Sequence, residues 1–159
     1  MEIRQIEKNK KKYLDLLLLA DEQESMIDQY LEKGQLFIMT KEQEEQAAAV
    51  AVVTWESSCT AELKNLAVAK EWQRKGLGKA MVEYLCQHFA KAGAREMIVG
   101  TGDSPLTIPF YEACGFIRSH IKENFFTENY DHPIWEEGVQ LIHMIYLKKN
   151  LLAIPGNIR

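Results

Sequence analysis

The chain has 159 residues, 47% of them hydrophobic and 26% charged, and carries a net charge of −4. This size predicts a single domain over residues 1–159, with 151–159 as a short tail, and the negative balance argues against broad nucleic-acid affinity. Three cysteines, Cys59, Cys86 and Cys114, contain no C-x-x-C pair, which predicts a reducing, cytoplasmic setting and no structural metal site.

Met1 to Ile6 alternates enough, through Ile3 and Ile6, for a first strand. Lys10 to Ala20 is helical by composition, with Tyr13, Leu14, Leu17 and Leu18 on one face. Its apolar run Leu16 to Ala20 is bracketed by Asp15 and Asp21 and is too short to span a membrane, and nothing reads as a secretory signal. Ser25 to Lys33 predicts a second helix, capped by Ser25, with Met26, Ile27, Tyr30 and Leu31 as its apolar side, and stopped by Gly34. Gln35 to Thr40 and Ala47 to Trp55 read as an antiparallel hairpin around a polar turn, Lys41 to Gln46. The second of these strands is apolar enough to be buried on both faces. Thr60 to Ala69 is a long strand. It leads through Gln73 to Gly78 into an amphipathic helix with Leu77, Met81, Leu85 and Phe89 on one stripe and Lys79, Glu83 and Gln87 outward. Gly93 ends that helix.

Arg95 to Thr101 is a further strand. Ser104-Pro105 can open a helix, although Pro109 moves its regular part nearer Thr107, and Gly115 stops it. Phe116 to Lys122 is a strand, Asn124 to Glu137 a long irregular segment and candidate functional loop, and Val139 to Leu147 a last strand. The tail from Asn150, with Pro155-Gly156, shows no clear element. Strands and helices interleaved in one domain predict an α/β or α+β sheet covered by helices.

The stretch Leu66 to Phe89 organises the rest. Strand, glycine loop and helix start form an anion site, because the first N–H groups of a helix lack intrahelical partners and its dipole places roughly +0.5 charge there. Gly76 and Gly78 admit a ligand close to the backbone, and Arg74, Lys75 and Lys79 add positive charge. A P-loop does not fit: Gln73 stands where its first glycine belongs, and Ala80 stands where Ser or Thr would follow Lys79. A dinucleotide fingerprint does not fit either, since Met81 occupies its third glycine position.

What remains is Gln-x-x-Gly-x-Gly, read at Gln73, Gly76 and Gly78, after Leu66-Ala67-Val68 and before an apolar helix. This resembles the acetyl-coenzyme A motif of the GNAT superfamily of N-acetyltransferases. Downstream, Phe110 to Phe116 is similar to that family's Tyr-x-x-x-Gly-Phe helix end, with the tyrosine at Tyr111. Together the two motifs cover about Ala61 to Arg118. The resemblance implies a mixed, mostly antiparallel sheet of about seven strands with helices on both faces. Its fourth and fifth strands are parallel and splay apart around the pantetheine arm of acetyl-CoA. It also implies cofactor contacts from Leu66, Ala67 and Val68, from Gln73, Arg74, Lys75, Gly76, Leu77, Gly78, Lys79 and Ala80, and from Ser104, which stands where the family often has Asn. Thr107 stands where alanine is common.

Acetyl transfer to an amine needs a base, a donor for the carbonyl oxygen and a proton for the leaving thiolate. Deprotonating an alkylammonium of pKa about 10.4 at pH 7 costs roughly 4 to 5 kcal/mol. Glu62 is the candidate base, since strict alternation would place Glu62, Lys64, Leu66 and Val68 on one face; a water relay is the alternative. The resemblance implies backbone N–H near Val68 as the oxygen's donor and Tyr111 as the acid.

Cys114, in an apolar helix without a nearby base, reads as structural. His120 and His132 can touch an acceptor, His143 reads as packing inside the last strand, and His88 as a boundary residue. Between Ser119 and Gly138 the acids Glu123, Glu128, Asp131, Glu136 and Glu137 face one base, Lys122, with Phe125, Phe126, Tyr130 and Trp135 interleaved. That composition suits a cationic amine, a solvated loop or a homodimer contact. The expected partner is a small-molecule or peptide amine, not nucleic acid or membrane. The alternative is an acyl-CoA-binding sensor of the same fold.

Overall fold

The apolar run Ala47–Trp55 becomes the strand on which two cores are built. In the computed structural model, which describes residues 1–42 and 44–154, the chain runs β1 (Glu2–Ile6), α1 (Leu14–Leu17), α2 (Glu24–Ile27), β2 (Gln35–Thr40), β3 (Ala47–Trp55), β4 (Thr60–Val68) and α3 (Leu77–Lys91). It continues β5 (Glu96–Gly102), α4 (Thr107–Ala113), β6 (Ile117–Lys122), α5 (Phe125–Asn129), β7 (Ile134–Glu136), β8 (Val139–Leu141) and β9 (Met144–Asn150). Seven strands form one sheet in the order β1-β2-β3-β4-β5-β9-β6, and β7 pairs with β8 as a separate hairpin. Pro155-Gly156 and the rest of the expected tail lie outside the described residues, as does Gln43 in the predicted polar turn.

Alternation along β2 and β3 divides the core. Leu36, Ile38, Val50 and Val52 pack with Leu17, Ile27, Tyr30 and Leu31 on the α1–α2 side. Phe37, Met39, Ala49, Ala51 and Val53 pack with Met81, Leu85 and Phe89 of α3 on the other. Helices therefore cover both faces, and the fold class expected from the sequence is the one observed.

One strand pair is parallel. β4 and β5 pair from Thr60↔Glu96 to Leu63↔Val99 and no further, although β4 runs on to Val68 and β5 to Gly102. β9 continues to hold β5 as far as Gly102↔Met144, so the sheet opens between β4 and β5.

A bulge sits at the start of this opening. Val52 pairs with Asn65 and Val53 with Leu63, which leaves Lys64 without a Cα partner. An extra residue reverses the side-chain parity of the strand. Ala61, Leu63, Leu66 and Val68 all pack on the α3 side, whereas Asn65 and Ala67 meet the α1–α2 side. The expectation of one face for Glu62, Lys64, Leu66 and Val68 is thus corrected. Glu62 and Lys64 lie on the α1–α2 face, where Lys64 Nζ bonds Glu62 Oε2 at 3.1 Å and lies 5.9 Å from the Tyr30 ring centroid.

The two N-terminal helices are shorter than their composition predicts. Lys10–Tyr13 is a 3-10 turn, and beyond Leu17 and Ile27 several bonds close i→i+3, such as Leu19 N to Leu16 O and Tyr30 N to Ile27 O. Tertiary donors join in: Asn65 Nδ2 shares Leu17 O with the Ala20 and Asp21 N–H groups, and buried Lys10 donates to the Leu31, Glu32 and Gly34 carbonyls. Gln23, not Ser25, is the residue before α2, and its side-chain amide bonds Ser25 Oγ. The segment expected to be irregular contains α5 and β7. The expected last strand divides at Ile142–His143 into β8 and β9, and β9 reaches Asn150. His143 therefore lies between strands, accepting the Asn124 N–H at 2.9 Å.

Lys10 fixes the segment that delivers Tyr30 to the site. Lys10→Met removes the shared donor of three carbonyls and should lower unfolding stability by about 1–3 kcal/mol. Urea titration checks this, with an unchanged m-value expected.

Candidate active site

The loop after β4 is shaped by two left-handed residues. Arg74 has φ 63° and Gly76 φ 83°, and α3 begins at the next residue, Leu77. A side chain at Gly76 would meet no atom within 4 Å, so backbone conformation, and not space, selects glycine there. At Gly78 the reason is different: a Cβ would lie 3.2 Å from Phe110 Cζ, so the helix start packs tightly on α4. Gln73 Nε2 donates to Val68 O at 3.0 Å and ties the loop back to β4.

The bond from Ala80 N to Gly76 O, 3.1 Å, opens the helix ladder. The N–H groups of Leu77, Gly78 and Lys79 precede it and have no intrahelical acceptor. Ala80, expected among the backbone donors, has its N–H used by that bond. Residues Gln73 to Gly76 are exposed, as are Lys79 and Ala80. Lys75 and Lys41 each place Nζ 5.0 Å from the Trp72 ring centroid beside the loop.

Between β4 and β5 the opening is a cleft of about 390 Å³. Leu63 to Val68 and Gln73 form one wall, Val99 to Gly102 the other, and Thr107 and Tyr111 of α4 the floor on the α3 side. Of the residues the sequence singled out, Leu66, Ala67, Val68, Gln73 and Tyr111 line this cleft, and the loop Arg74 to Ala80 lies beyond its Gln73 end. Tyr111 is 8% exposed. Burial pushes its phenol well above the ordinary value, with Cys114 and Glu136 nearby adding to the shift. Among the described residues its hydroxyl takes no hydrogen-bond partner, so it is available to a bound molecule.

Ser104 and Glu62 stand behind the walls. Ser104 Oγ accepts from Leu106 N at 3.1 Å and donates to Glu136 Oε1 at 2.7 Å. It is buried and orients Glu136, which itself lines the cleft. Glu62 is 5% exposed and reaches the cleft through Lys64. Burial raises its carboxyl above the usual range, with the Lys64 ammonium working against that shift.

The far end of the cleft holds a polar chain that the sequence did not reveal. Asn65 Nδ2 bonds Leu17 O at 3.1 Å and Tyr30 Oη at 3.0 Å. Tyr30 Oη donates to Asp21 Oδ2 at 2.9 Å, and Tyr130 Oη donates to Asp21 Oδ1 at 2.6 Å. Burial raises the Asp21 carboxyl, and the two phenols oppose the rise. Both phenols are pushed up in turn, by burial first and then by the Asp21 charge. Asp21 reads in sequence only as the bracket of an apolar run, and Tyr30 as part of an apolar helix side. The one available signal was a polar Asn65 inside a strand.

The acidic loop contributes less than expected. Glu136 reaches the cleft with Phe126, Tyr130 and Trp135, but Glu123, Glu128, Asp131 and Glu137 do not line it. Asp21 and Glu22, from the α1–α2 turn, supply negative charge instead. His132 bonds Glu22 at 2.8 Å, and His120 stacks on Tyr146 with centroids 4.5 Å apart, away from the cleft. Cys114 is buried, its thiol raised first by desolvation, with the Lys149 and Lys79 ammonium groups working against that rise. Among the described residues no cluster of three or more His, Cys, Asp or Glu is arranged to hold a metal ion, and no helix is long and apolar enough to cross a membrane.

This arrangement has close counterparts. Residues 3–116 match the family model described as the acetyltransferase (GNAT) family. An uncharacterized N-acetyltransferase of Bacillus subtilis, YvbK, is 36% identical over 138 residues, covering 86% of this chain and 88% of the relative. A GNAT family acetyltransferase from Elizabethkingia anophelis, solved with acetyl-CoA bound, superposes with a TM-score of 0.87 at 32% identity, over 94% of this chain and 97% of its own. A Bacillus subtilis acetyltransferase in complex with CoA superposes with a TM-score of 0.85 at 34% identity, over the same shares of the two chains. The parted β4–β5 pair, the glycine loop at the helix start and these matches agree, and the chain belongs to the GNAT acetyltransferase family.

Proposed function

We propose that the protein transfers an acetyl group from acetyl-CoA to a primary amine of a small molecule or peptide by direct attack. The observation that carries this reading is the cleft between β4 and β5, with Tyr111 inside it and unpartnered helix-start N–H groups beyond its Gln73 end. The pyrophosphate binds at Leu77, Gly78 and Lys79 N–H, where the helix dipole and the Arg74, Lys75 and Lys79 cations favour an anion. The pantetheine arm runs along the β4 edge at Leu66, Ala67 and Val68, which β5 leaves unpaired. Ser104 acts at one remove, through Glu136. The acetyl-CoA and CoA bound in the two related structures support this donor. Cys59, Cys86 and Cys114 are all free, which supports a reducing, cytoplasmic setting.

In the reaction the amine nitrogen forms the new C–N bond and the C–S bond breaks. The proton from nitrogen goes to Glu62, directly or through water, and the departing thiolate takes a proton from Tyr111. The burial that raises Glu62 suits it to proton acceptance nearer neutrality. Burial likewise keeps the Tyr111 phenol protonated until a thiolate forms beside it.

Incubation with acetyl-CoA and an amine panel, read as released coenzyme A thiol, tests the reading. Turnover with at least one amine is expected; tight acetyl-CoA binding with no acetylation across the panel would favour a sensor. Glu62→Gln and Tyr111→Phe should each lower kcat about 10²-fold while calorimetry shows coenzyme A bound as before. A Tyr111→Phe enzyme with normal turnover at every pH rejects the acid role. The base must be ionised, so wild-type kcat/KM should fall as pH drops through the raised Glu62 value, and Glu62→Gln should abolish that limb.

A further inference from the structure

We propose that Asp21 is an anchor for a second cationic group of the acceptor, so that the protein acetylates small diamines in preference to monoamines. The proposal rests on the acetyltransferase reading above and names the acceptor within it.

Three observations carry it. Asp21 lines the cleft, and its carboxylate is held from two sides by Tyr30 and Tyr130. A carboxylate has about four lone-pair sites. The two phenols and the Gln23 backbone N–H use three of them and leave one at a side chain that lines the cavity. The holders are themselves fixed: Asn65 pins Tyr30, and Tyr130 stacks on Phe126 with centroids 5.5 Å apart. A carboxylate so immobilised loses little entropy on gripping a ligand.

Next, the acceptor end is bridged. The turn Asp21–Gln23 meets the segment Tyr130–His132 through Tyr130 to Asp21, Asp131 N to Gln23 Oε1 at 3.0 Å, and His132 to Glu22. These contacts join two walls of the cleft across its end, which suits a small acceptor better than an extended chain. Finally, the charge is one-sided. Asp21, Glu22 and Glu136 line the cleft against Lys64, whose ammonium is already paired with Glu62.

The reacting nitrogen cannot be the one Asp21 holds. A carboxylate beside an ammonium raises its pKa and withholds the lone pair that must attack. The anchored cation is therefore a second group, which leaves the other amine free at the Tyr111 end.

Two measurements with Asp21→Asn, an isosteric change, test this. The first is kinetic: kcat/KM for 1,4-diaminobutane relative to 1-aminobutane. Wild type should prefer the diamine at least tenfold, and Asp21→Asn should erase the preference through KM. The second needs no turnover: calorimetric binding of tetramethylammonium to the coenzyme A complex. Asp21→Asn should weaken it at least tenfold, and a Glu123→Gln control, at an exposed acid outside the cleft, should leave it unchanged. Wild-type failure to bind tetramethylammonium, or equal binding by Asp21→Asn, overturns the anchor. Coenzyme A and tetramethylammonium binding without acetylation of any amine would instead end the acetyltransferase reading and leave the anchor standing.

Discussion

Four residue pairs hold β4 to β5, and then the strands part. Almost everything else at the site follows from that limit. A strand edge without a neighbour exposes N–H and C=O groups that need partners. Most folds cover or shorten such an edge. Here β9 holds β5 along its whole length, and β3 holds β4 as far as Val68, so neither strand is free to collapse into the gap. The opening is therefore built into the sheet, and the unpaired edges of β4 and β5 lie along it. That is the environment an extended, amide-bearing ligand arm can use, in the manner of an added strand.

The bulge at Lys64 decides what meets that gap. Without it, Glu62 and Lys64 would share a face with Leu66 and Val68 and point into the α3 core. With it, one strand serves two purposes: Leu66 and Val68 remain apolar packing on the α3 side, while Glu62, Lys64 and Asn65 supply polar groups to the α1–α2 side. Burying those polar groups is tolerable because Glu62 pairs with Lys64 and Asn65 Nδ2 donates to Leu17 O and Tyr30 Oη, although Asn65 Oδ1 takes no partner among the described residues. The same network continues to Asp21 and Tyr130, residues 109 positions apart in sequence. The two ends of the cleft are thus tied through a single strand.

Much of the glycine-loop side of the cleft was legible. Gln73, Gly76 and Gly78 mark a turn whose chemistry is local: Gly76 is selected by its own φ, and the free N–H groups belong to any helix start. Tyr111 was legible through the helix end Gly115-Phe116. The end near Asp21 was not. The acids between Ser119 and Gly138 are dense in composition, yet only Glu136 lines the cleft. Ser104 reads as a cap and a ligand contact, but its hydroxyl is engaged by Glu136, thirty-two positions away. Composition records how many charges a loop has and nothing about which way they point.

The amino-acid order alone determined the strands β1 to β5, the helix α3 and the glycine turn between β4 and α3, because periodicity, glycine conformation and helix ends are local physics. Only the tertiary structure decided that α1 and α2 stop after a turn, that Lys64 reverses the parity of β4, and that Asp21 faces the cleft. Each of these depends on a partner far along the chain, whether a carbonyl claimed by Lys10 or Asn65, a register set by β3, or a phenol delivered by Tyr130. Such long-range pairings are chosen by packing, and no window of neighbouring residues contains them.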